Sequence, residues 1–271
     1  MEDTVFYVID KYNYVMTHVA DQRTNEYWML TSPWKPILVF SAYLLLIKKI
    51  LPRYMKNREP MKIDNYILLY NVSQIFFNAY LLYKVIPVML RRSPLCSPVD
   101  YSDSPQSRLE LDLVNMYYLL KIYDLLDTVF FVLRKRDRQV TFLHLYHHAM
   151  MVTFPWVGAK FVPGGNTIFI GVFNVFVHMI MYFYYAITLW NSGLKKNVWW
   201  KKYLTQLQLV QFFSLAVMAI TVLLNRSCTF PKSITSFGLM QNLFLIYLFG
   251  RFYYNAYICP PKKTTDAKKA S

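Results

Sequence analysis

The sequence predicts an all-α membrane protein with seven transmembrane helices. Its 271 residues are 55% hydrophobic and 18% aromatic, yet they carry a formal net charge of +15. Apolar runs of about twenty residues recur along the chain, and this length matches the hydrocarbon core of a bilayer. Lys and Arg fall between these runs rather than on one folded face. Basic loops beside a lipid bilayer are therefore expected, and a nucleic-acid partner is not.

Seven segments have the length and composition of a span, and each could cross the hydrocarbon as a helix that rises about 1.5 Å per residue. They cover residues 34–51, 63–87, 111–133, 141–159, 166–190, 203–224 and 235–257. We therefore expect residues 1–271 to form a single membrane domain. Within it, an N-terminal segment, 1–33, precedes the first span, and a basic tail, 259–271, follows the last.

The distribution of basic residues predicts the orientation of the chain. Most loop Lys and Arg follow the odd-numbered spans, at 48–62, 134–138, 195–202 and 262–269. By the positive-inside rule these loops face the cytosol. The N-terminal segment is then lumenal and the C-terminus is cytosolic, as an odd number of spans requires.

The three cysteines fit this orientation. Cys96 and Cys228 fall in loops assigned to the lumenal, oxidising side, whereas Cys259 falls on the cytosolic side. We therefore predict a Cys96–Cys228 disulfide between the loops that follow spans two and six, the alternative being two free thiols.

The C-terminus predicts the membrane in which the protein resides. The chain ends in KKAS, with Lys268 and Lys269 in the di-lysine form that resembles a retrieval signal for the endoplasmic reticulum. Such a signal is an address that a receptor binds on a cytosolic tail. The expected location is therefore the endoplasmic reticulum membrane.

Three of the five histidines lie in the stretch HLYHH, residues 144–148. His144, His147 and His148 are spaced i, i+3, i+4, so their rings project from one face of span four. Imidazoles are costly in hydrocarbon unless they face a polar interior, which indicates a functional site. A zinc site needs accompanying ligands that are missing here, and we expect no metal and no bound cofactor. A neutral, oriented imidazole is instead a nucleophile or a general base.

Polar residues of three other spans fall at the same depth. Lys121 and Asp124 are one helical turn apart, so an ion pair would allow both to lie within a span. Each of the other polar residues in these spans has a structural explanation when taken singly, as an interfacial tyrosine or an interhelical glutamine. Taken together, they indicate a site. An aspartate or a glutamine amide could orient a histidine, and the sequence leaves that choice open. These residues are Asp127, His178, Tyr182, Tyr185, Gln206, Gln208 and Gln211.

The same stretches resemble four motifs of the ELO family of very-long-chain fatty acid elongases, condensing enzymes of the endoplasmic reticulum. The family's KxxExxDT is present as KIYDLLDT (121–128) and its HxxHH as HLYHH (144–148). Its NxxxHxxMYxYY is NVFVHMIMYFYY (174–185), and its TQxQxxQ is TQLQLVQ (205–211). The chain departs from the family at Asp124, where Glu is usual. This change keeps the charge and shortens the side chain by one methylene.

The resemblance implies a 3-ketoacyl-CoA synthase that joins a long-chain acyl-CoA to malonyl-CoA, releasing CO₂ and CoA. It also implies that six of the seven helices ring an acyl tunnel closed at the lumenal end. The apolar spans and the basic loops suit these substrates, because the alkyl chain needs an apolar slot and the CoA phosphates favour Lys and Arg. Other enzymes of the elongation cycle and a second copy of the chain are candidate partners.

The resemblance also suggests roles for the site residues. His147 would attack the acyl thioester to form an acyl-imidazole, while His144 and His148 orient it or move protons. His178 would polarise the malonyl unit or stabilise the developing enolate. The remaining motif residues would bind or orient substrate: Lys121, Asp124, Asp127, Asn174, Tyr182, Tyr185, Gln206, Gln208 and Gln211.

Three alternatives remain open at this point. The histidine could act as a general base without an acyl-enzyme. The polar layer could instead belong to a transporter or receptor, which would release no CO₂ from malonyl-CoA. Third, the chain could be a metal-dependent lipid oxygenase, which elemental analysis for iron or zinc would reject.

Overall fold

The structure is a computed structural model that describes residues 2–191, 193–194 and 198–259. Its regular structure in these ranges is entirely helical. Ten α-helices are described: α1 (Glu2–Tyr14), α2 (Trp34–Leu45), α3 (Leu51–Met55), α4 (Asp64–Met89), α5 (Pro105–Tyr123), α6 (Leu126–Leu133), α7 (Phe142–Phe161), α8 (Thr167–Trp190), α9 (Val198–Leu224) and α10 (Lys232–Tyr253).

Four helical segments within these ranges are long and apolar enough to cross a membrane, namely Asp64–Met89, Thr167–Trp190, Trp199–Leu224 and Lys232–Ile258. They correspond to the second, fifth, sixth and seventh predicted spans, so the chain is an all-α, multi-pass membrane protein. Large apolar side chains point outwards from them, as lipid contact requires; Phe213 of α9, for example, is 65% exposed. The other three predicted spans are helical, but the full count of seven stays a prediction.

The first and third predicted spans are interrupted rather than continuous. α2 passes into a π-helical turn over Leu46–Ile50 before α3 begins. The predicted single helix over 111–133 is wrong, because α5 ends at Tyr123 and α6 begins only at Leu126. Asp124 lies in this break, where its buried side chain is held by partners on neighbouring helices, as described below. Aspartate also favours helix ends over helix interiors.

The helices pack in pairs. α4 lies along α8, α9 along α10, and α5 against α7. The centre is filled by fully buried side chains such as Tyr118 of α5 and Val175 of α8. Because lipid is as apolar as these side chains, close packing and interhelical hydrogen bonds hold the helices together, rather than hydrophobic burial.

A disulfide closes one end of the bundle. Cys96, in the loop after α4, is bonded to Cys228, in the loop after α9, with their Cα atoms 5.6 Å apart. The expected pairing is therefore present in the structure. Cys228 packs with buried Val162, Val222 and Phe230. We call this end of the molecule the disulfide end, and the opposite end, which carries the loop 134–138, the basic end.

Hydrogen bonds attach the N-terminal segment to the disulfide end. Lys160, expected beyond the end of span four, is instead the fully buried penultimate residue of α7. Its Nζ donates to Thr24 Oγ1 and Asn25 Oδ1, both at 2.8 Å. Buried Glu110 pairs with Arg92 in the same region. These partners satisfy the charges, which explains how they lie in the interior.

We expect the double variant Cys96→Ser/Cys228→Ser to lower the free energy of unfolding by about 2–5 kcal/mol, because the bond closes a loop with a sequence separation of 132 residues. Denaturant unfolding in detergent micelles measures this difference. Cys259→Ser, at the exposed free thiol, is the matched control and should leave stability unchanged. Equal stability of the double variant and the parent protein would contradict the expectation.

Candidate active site

A buried ion pair stands at the centre of the polar layer. Lys121 Nζ lies 2.7 Å from Asp124 Oδ2, and both side chains are almost completely shielded, with exposed fractions of 0% and 3%. The same Nζ donates to Asn174 Oδ1 at 2.9 Å and lies 3.3 Å from His178 Nδ1. The break after α5 therefore places the predicted pair against Asn174 and His178 of α8.

Two side chains of α4 complete this layer, and sequence reasoning missed them. Gln74 Nε2 donates to Asp124 Oδ1 at 2.8 Å and to the hydroxyl of Tyr70 at 2.9 Å. Tyr182 OH donates to Asp127 Oδ2 at 2.8 Å, and it lies 3.4 Å from Asp124 Oδ1. Each carboxylate is thus fixed by neutral donors from other helices, and the layer connects α4, α5, α6 and α8.

The histidine triplet lies on α7 and is oriented mainly through His144. Its Nε2 is 2.7 Å from Thr128 Oγ1, which is in turn 2.6 Å from the hydroxyl of Tyr43. The His144 and His148 ring centroids are 4.3 Å apart, and those of His147 and His148 are 5.7 Å apart. Among the described residues, no aspartate or glutamine hydrogen-bonds these three rings. The group that orients His144 is therefore Thr128, which the sequence did not single out for this role.

His147 faces a long apolar cavity, which we call the main cavity. The cavity lies mainly between α7, α8, α9 and α10, and about 1050 Å³ in and around it, open space included, is not filled by protein atoms. It reaches from His147 to Phe230 and Ile234 at the disulfide end. Asn174 and Gln211 also line it, so the polar layer contributes to a wall that is mostly apolar. This arrangement suits a catalytic histidine at the head of a binding slot for an alkyl chain.

A second cavity, the basic cavity, opens at the basic end on the other side of the polar layer. Asp127 and Tyr185 line it. Asp127 accepts from Tyr182, and through Asp124 and Lys121 the layer continues to Asn174 in the wall of the main cavity. The cationic residues of the basic cavity are Arg134, Lys135, Arg136, Arg138 and Lys201.

The three glutamines of α9 do not act together. Only Gln211 reaches the main cavity. Gln206 Nε2 donates to the hydroxyl of Tyr253 at 2.7 Å, and Gln208 Nε2 lies 3.9 Å from the sulfur of Met181. Gln206 therefore joins α9 to α10, which is the interhelical role that the sequence left open.

Two further predictions, the metal-free centre and the retrieval signal, are not tested by the structure. In the described part of the chain, no group of three or more His, Cys, Asp or Glu side chains has the arrangement of a metal site, so the expectation of a metal-free centre stays a prediction. Lys268 and Lys269 of the proposed retrieval signal lie outside the described residues.

Comparisons with known proteins match nearly the whole chain. The family described as ELO: GNS1/SUR4 matches residues 28–265, which include the polar layer and the histidine triplet. A very long chain fatty acid elongase of Aedes aegypti is 37% identical over 265 residues, covering 97% of this chain and 74% of its own. Very long chain fatty acid elongase 7 of Drosophila melanogaster is 35% identical over 270 residues, covering 99% and 82%. Very long chain fatty acid elongase 4 of Homo sapiens is 35% identical over 254 residues, covering 93% and 80%.

Proposed function

Because the chain belongs to the ELO (GNS1/SUR4) family, we propose that it catalyses the condensing step of fatty acid elongation, as a very-long-chain 3-oxoacyl-CoA synthase. In this reaction a long-chain acyl-CoA and malonyl-CoA give 3-ketoacyl-CoA, CO₂ and CoA. The observation that carries the proposal is the position of His147 at the head of the main cavity, beside a buried polar layer. We propose that the enzyme needs no bound cofactor, because its own side chains include a nucleophile and a cation.

The main cavity supports binding of the acyl chain. Between His147 and the disulfide end its wall is almost entirely apolar, with side chains such as Met150, Phe212 and Leu215. Each methylene removed from water contributes about 0.8 kcal/mol, so a long chain gains more than a short one. The cavity would hold the acyl chain extended, with its thioester carbonyl beside the imidazole.

In the first step, a ring nitrogen of His147 attacks the thioester carbonyl carbon. A C–N bond forms and the C–S bond breaks, while the proton of the other ring nitrogen passes to the departing CoA thiolate. His147 is half-buried, and its ring packs against those of His148 and Phe249. These contacts support the role because they hold the ring in one orientation, and fixed orientation is a large part of enzymatic acceleration.

In the second step, malonyl-CoA loses CO₂, and the resulting carbanion attacks the acyl carbon. The new C–C bond forms, the C–N bond to His147 breaks, and the imidazole takes up a proton from water. His178 and the Lys121 ammonium would stabilise the enolate charge, since they lie 3.3 Å apart beside Asn174. The orienting groups would be Asp124, Gln74 and Tyr182.

The charge distribution supports a CoA site at the basic end. Guanidinium and ammonium groups bind phosphate oxygens strongly, and the basic cavity carries five such residues. We propose that this end faces the cytosol and the disulfide end faces the lumen of the endoplasmic reticulum, with seven spans, a lumenal segment 1–33 and a retrieval signal at Lys268 and Lys269. A second copy of the chain and other elongation-cycle enzymes remain proposed partners.

Release of CO₂ tests the proposed reaction. We expect the purified protein to release label from malonyl-CoA carrying it in the free carboxyl group, with one CO₂ for each 3-ketoacyl-CoA formed. The release should require a long-chain acyl-CoA, so malonyl-CoA alone is the control. Donors of several chain lengths should be assayed side by side. Absence of both products with every donor would contradict the proposal and favour a transporter or receptor.

A further inference from the structure

A third cavity, which we call the side cavity, lies against the main cavity. It is bounded by α4, α5, α7 and α8. About 600 Å³ in and around it, open space included, is not filled by protein atoms, which is just over half of the corresponding 1050 Å³ at the main cavity. Its wall away from the main cavity is apolar. The residues that line only the side cavity are Leu81, Val85, Leu113, Val114, Pro155, Ile168 and Gly171.

The two cavities share part of their walls. Six residues line both, and they all belong to the parts of α5, α7 and α8 between the polar layer and the disulfide end. Side chains of this shared set form the boundary between the two spaces. The shared residues are Tyr117, Met151, Phe154, Gly158, Thr167 and Ile170.

The boundary is incomplete at Gly158. This residue has no side chain, and a Cβ atom built there would have no heavy atom within 4 Å outside its own helix and neighbours. Open space beside a residue that lines both cavities indicates that the cavities meet at this point. Gly171 on α8 has equally open space and lines the side cavity alone.

We propose that the side cavity is a second branch of the acyl-binding site, which receives the far end of a bent acyl chain; this rests on the proposed condensing activity. Gly158 is 11 residues beyond His147 on α7, or roughly 16 Å along the helix axis. A straight, saturated chain that extends this far continues towards Phe230 and Ile234. A chain bent by a cis double bond turns aside, and beside Gly158 the side cavity offers it apolar space. The ligand class is thus cis-unsaturated long-chain acyl-CoA.

Filling the side cavity without touching the main cavity tests the proposal. Gly171→Leu adds a side chain where a Cβ meets no neighbour, and leucine favours a helix more than glycine does. The matched control is Gly250→Leu on α10, a helical glycine with equally open space that lines none of the three cavities. Gly171→Val is a smaller substitution for use if the leucine variant does not fold. Each protein is assayed with a saturated and a cis-unsaturated donor of equal carbon number.

We expect Gly171→Leu to lower the ratio of kcat/KM for the cis-unsaturated donor to kcat/KM for the saturated donor by tenfold or more. Gly250→Leu should keep the parent ratio, and Gly171→Val should give an intermediate one. If the parent protein elongates both donors and the ratio does not change in Gly171→Leu, the side branch is refuted while the condensing activity stands. The same holds if the rates with the two donors fall equally. It is likewise refuted if the parent elongates only the saturated donor. If it elongates neither, the condensing activity fails and the branch fails with it.

Discussion

Replacing His147 with alanine is expected to lower kcat/KM for condensation by about 10³-fold or more, the largest effect of any single substitution in the chain. The variant lacks the atom that would accept the acyl group, and losses of this size are typical when a catalytic nucleophile is removed. Steady-state rates of CO₂ release and 3-ketoacyl-CoA formation measure it. The alanine leaves extra space beside Phe249 at the head of the main cavity, so donor binding should change less than kcat.

The matched control is His18→Ala. His18 is the exposed histidine of the N-terminal segment, where its ring stacks on Tyr14 far along the chain from the triplet. This variant should keep full activity. A loss of less than tenfold in His147→Ala, with His18→Ala unchanged, would exclude His147 as the nucleophile and transfer attention to His144 or His148.

The second large effect is on stability. We expect Lys121→Met to lower the free energy of unfolding by about 3–5 kcal/mol, because it leaves the Asp124 carboxylate buried without its partner. The exposed fractions of 0% and 3% give water no access to the unpaired charge. Denaturant unfolding of the purified protein in detergent micelles measures the loss.

Two controls separate an unpaired charge from lost packing. Lys121→Met combined with Asp124→Leu removes both charges, so it should recover most of the stability, because a buried pair contributes little more than apolar side chains of similar size. Arg108→Met removes the half-exposed pairing with Glu26 and Asp103, and it should cost at most about 1 kcal/mol. If Lys121→Met were no more destabilising than Arg108→Met, the buried pair would not hold the layer together.

Much of the fold follows from the apolar pattern of the sequence. Long uninterrupted runs, such as those of α4, α8 and α9, predict helices with ends within a few residues of the observed ones. The break at Asp124 does not follow, because KIYDLLDT has helical spacing throughout, whereas the Asp124 carboxylate contacts Gln74 of α4 and Tyr182 of α8. The burial of Lys160 was missed for the same reason, since its acceptors lie 135 and 136 residues earlier in the chain.

The sequence predicted the reactive groups of the candidate site but not the residues that hydrogen-bond to them. The histidine spacing and the Lys121–Asp124 pair are local signals, visible within one helical turn. Gln74 and Tyr70 were missed because they lie outside the four motifs and their partners, Asp124 and Tyr182, are distant in the sequence. A signal was nevertheless present: Tyr70, Gln74 and Asn78 are spaced i, i+4, i+8, and polar residues on one face of an apolar span mark the face turned to the protein interior.

The most direct test of the account is the intact mass of the protein after incubation with acyl-CoA alone. Without malonyl-CoA the second step cannot take place, so the acyl group transferred in the first step should accumulate on His147. We predict a species heavier by one acyl group, with the added mass on the peptide that contains HLYHH. The species should be absent in His147→Ala and present in His18→Ala. If the parent protein forms 3-ketoacyl-CoA normally but shows no adduct at any pH, histidine acts as a general base and the acyl-imidazole mechanism is wrong.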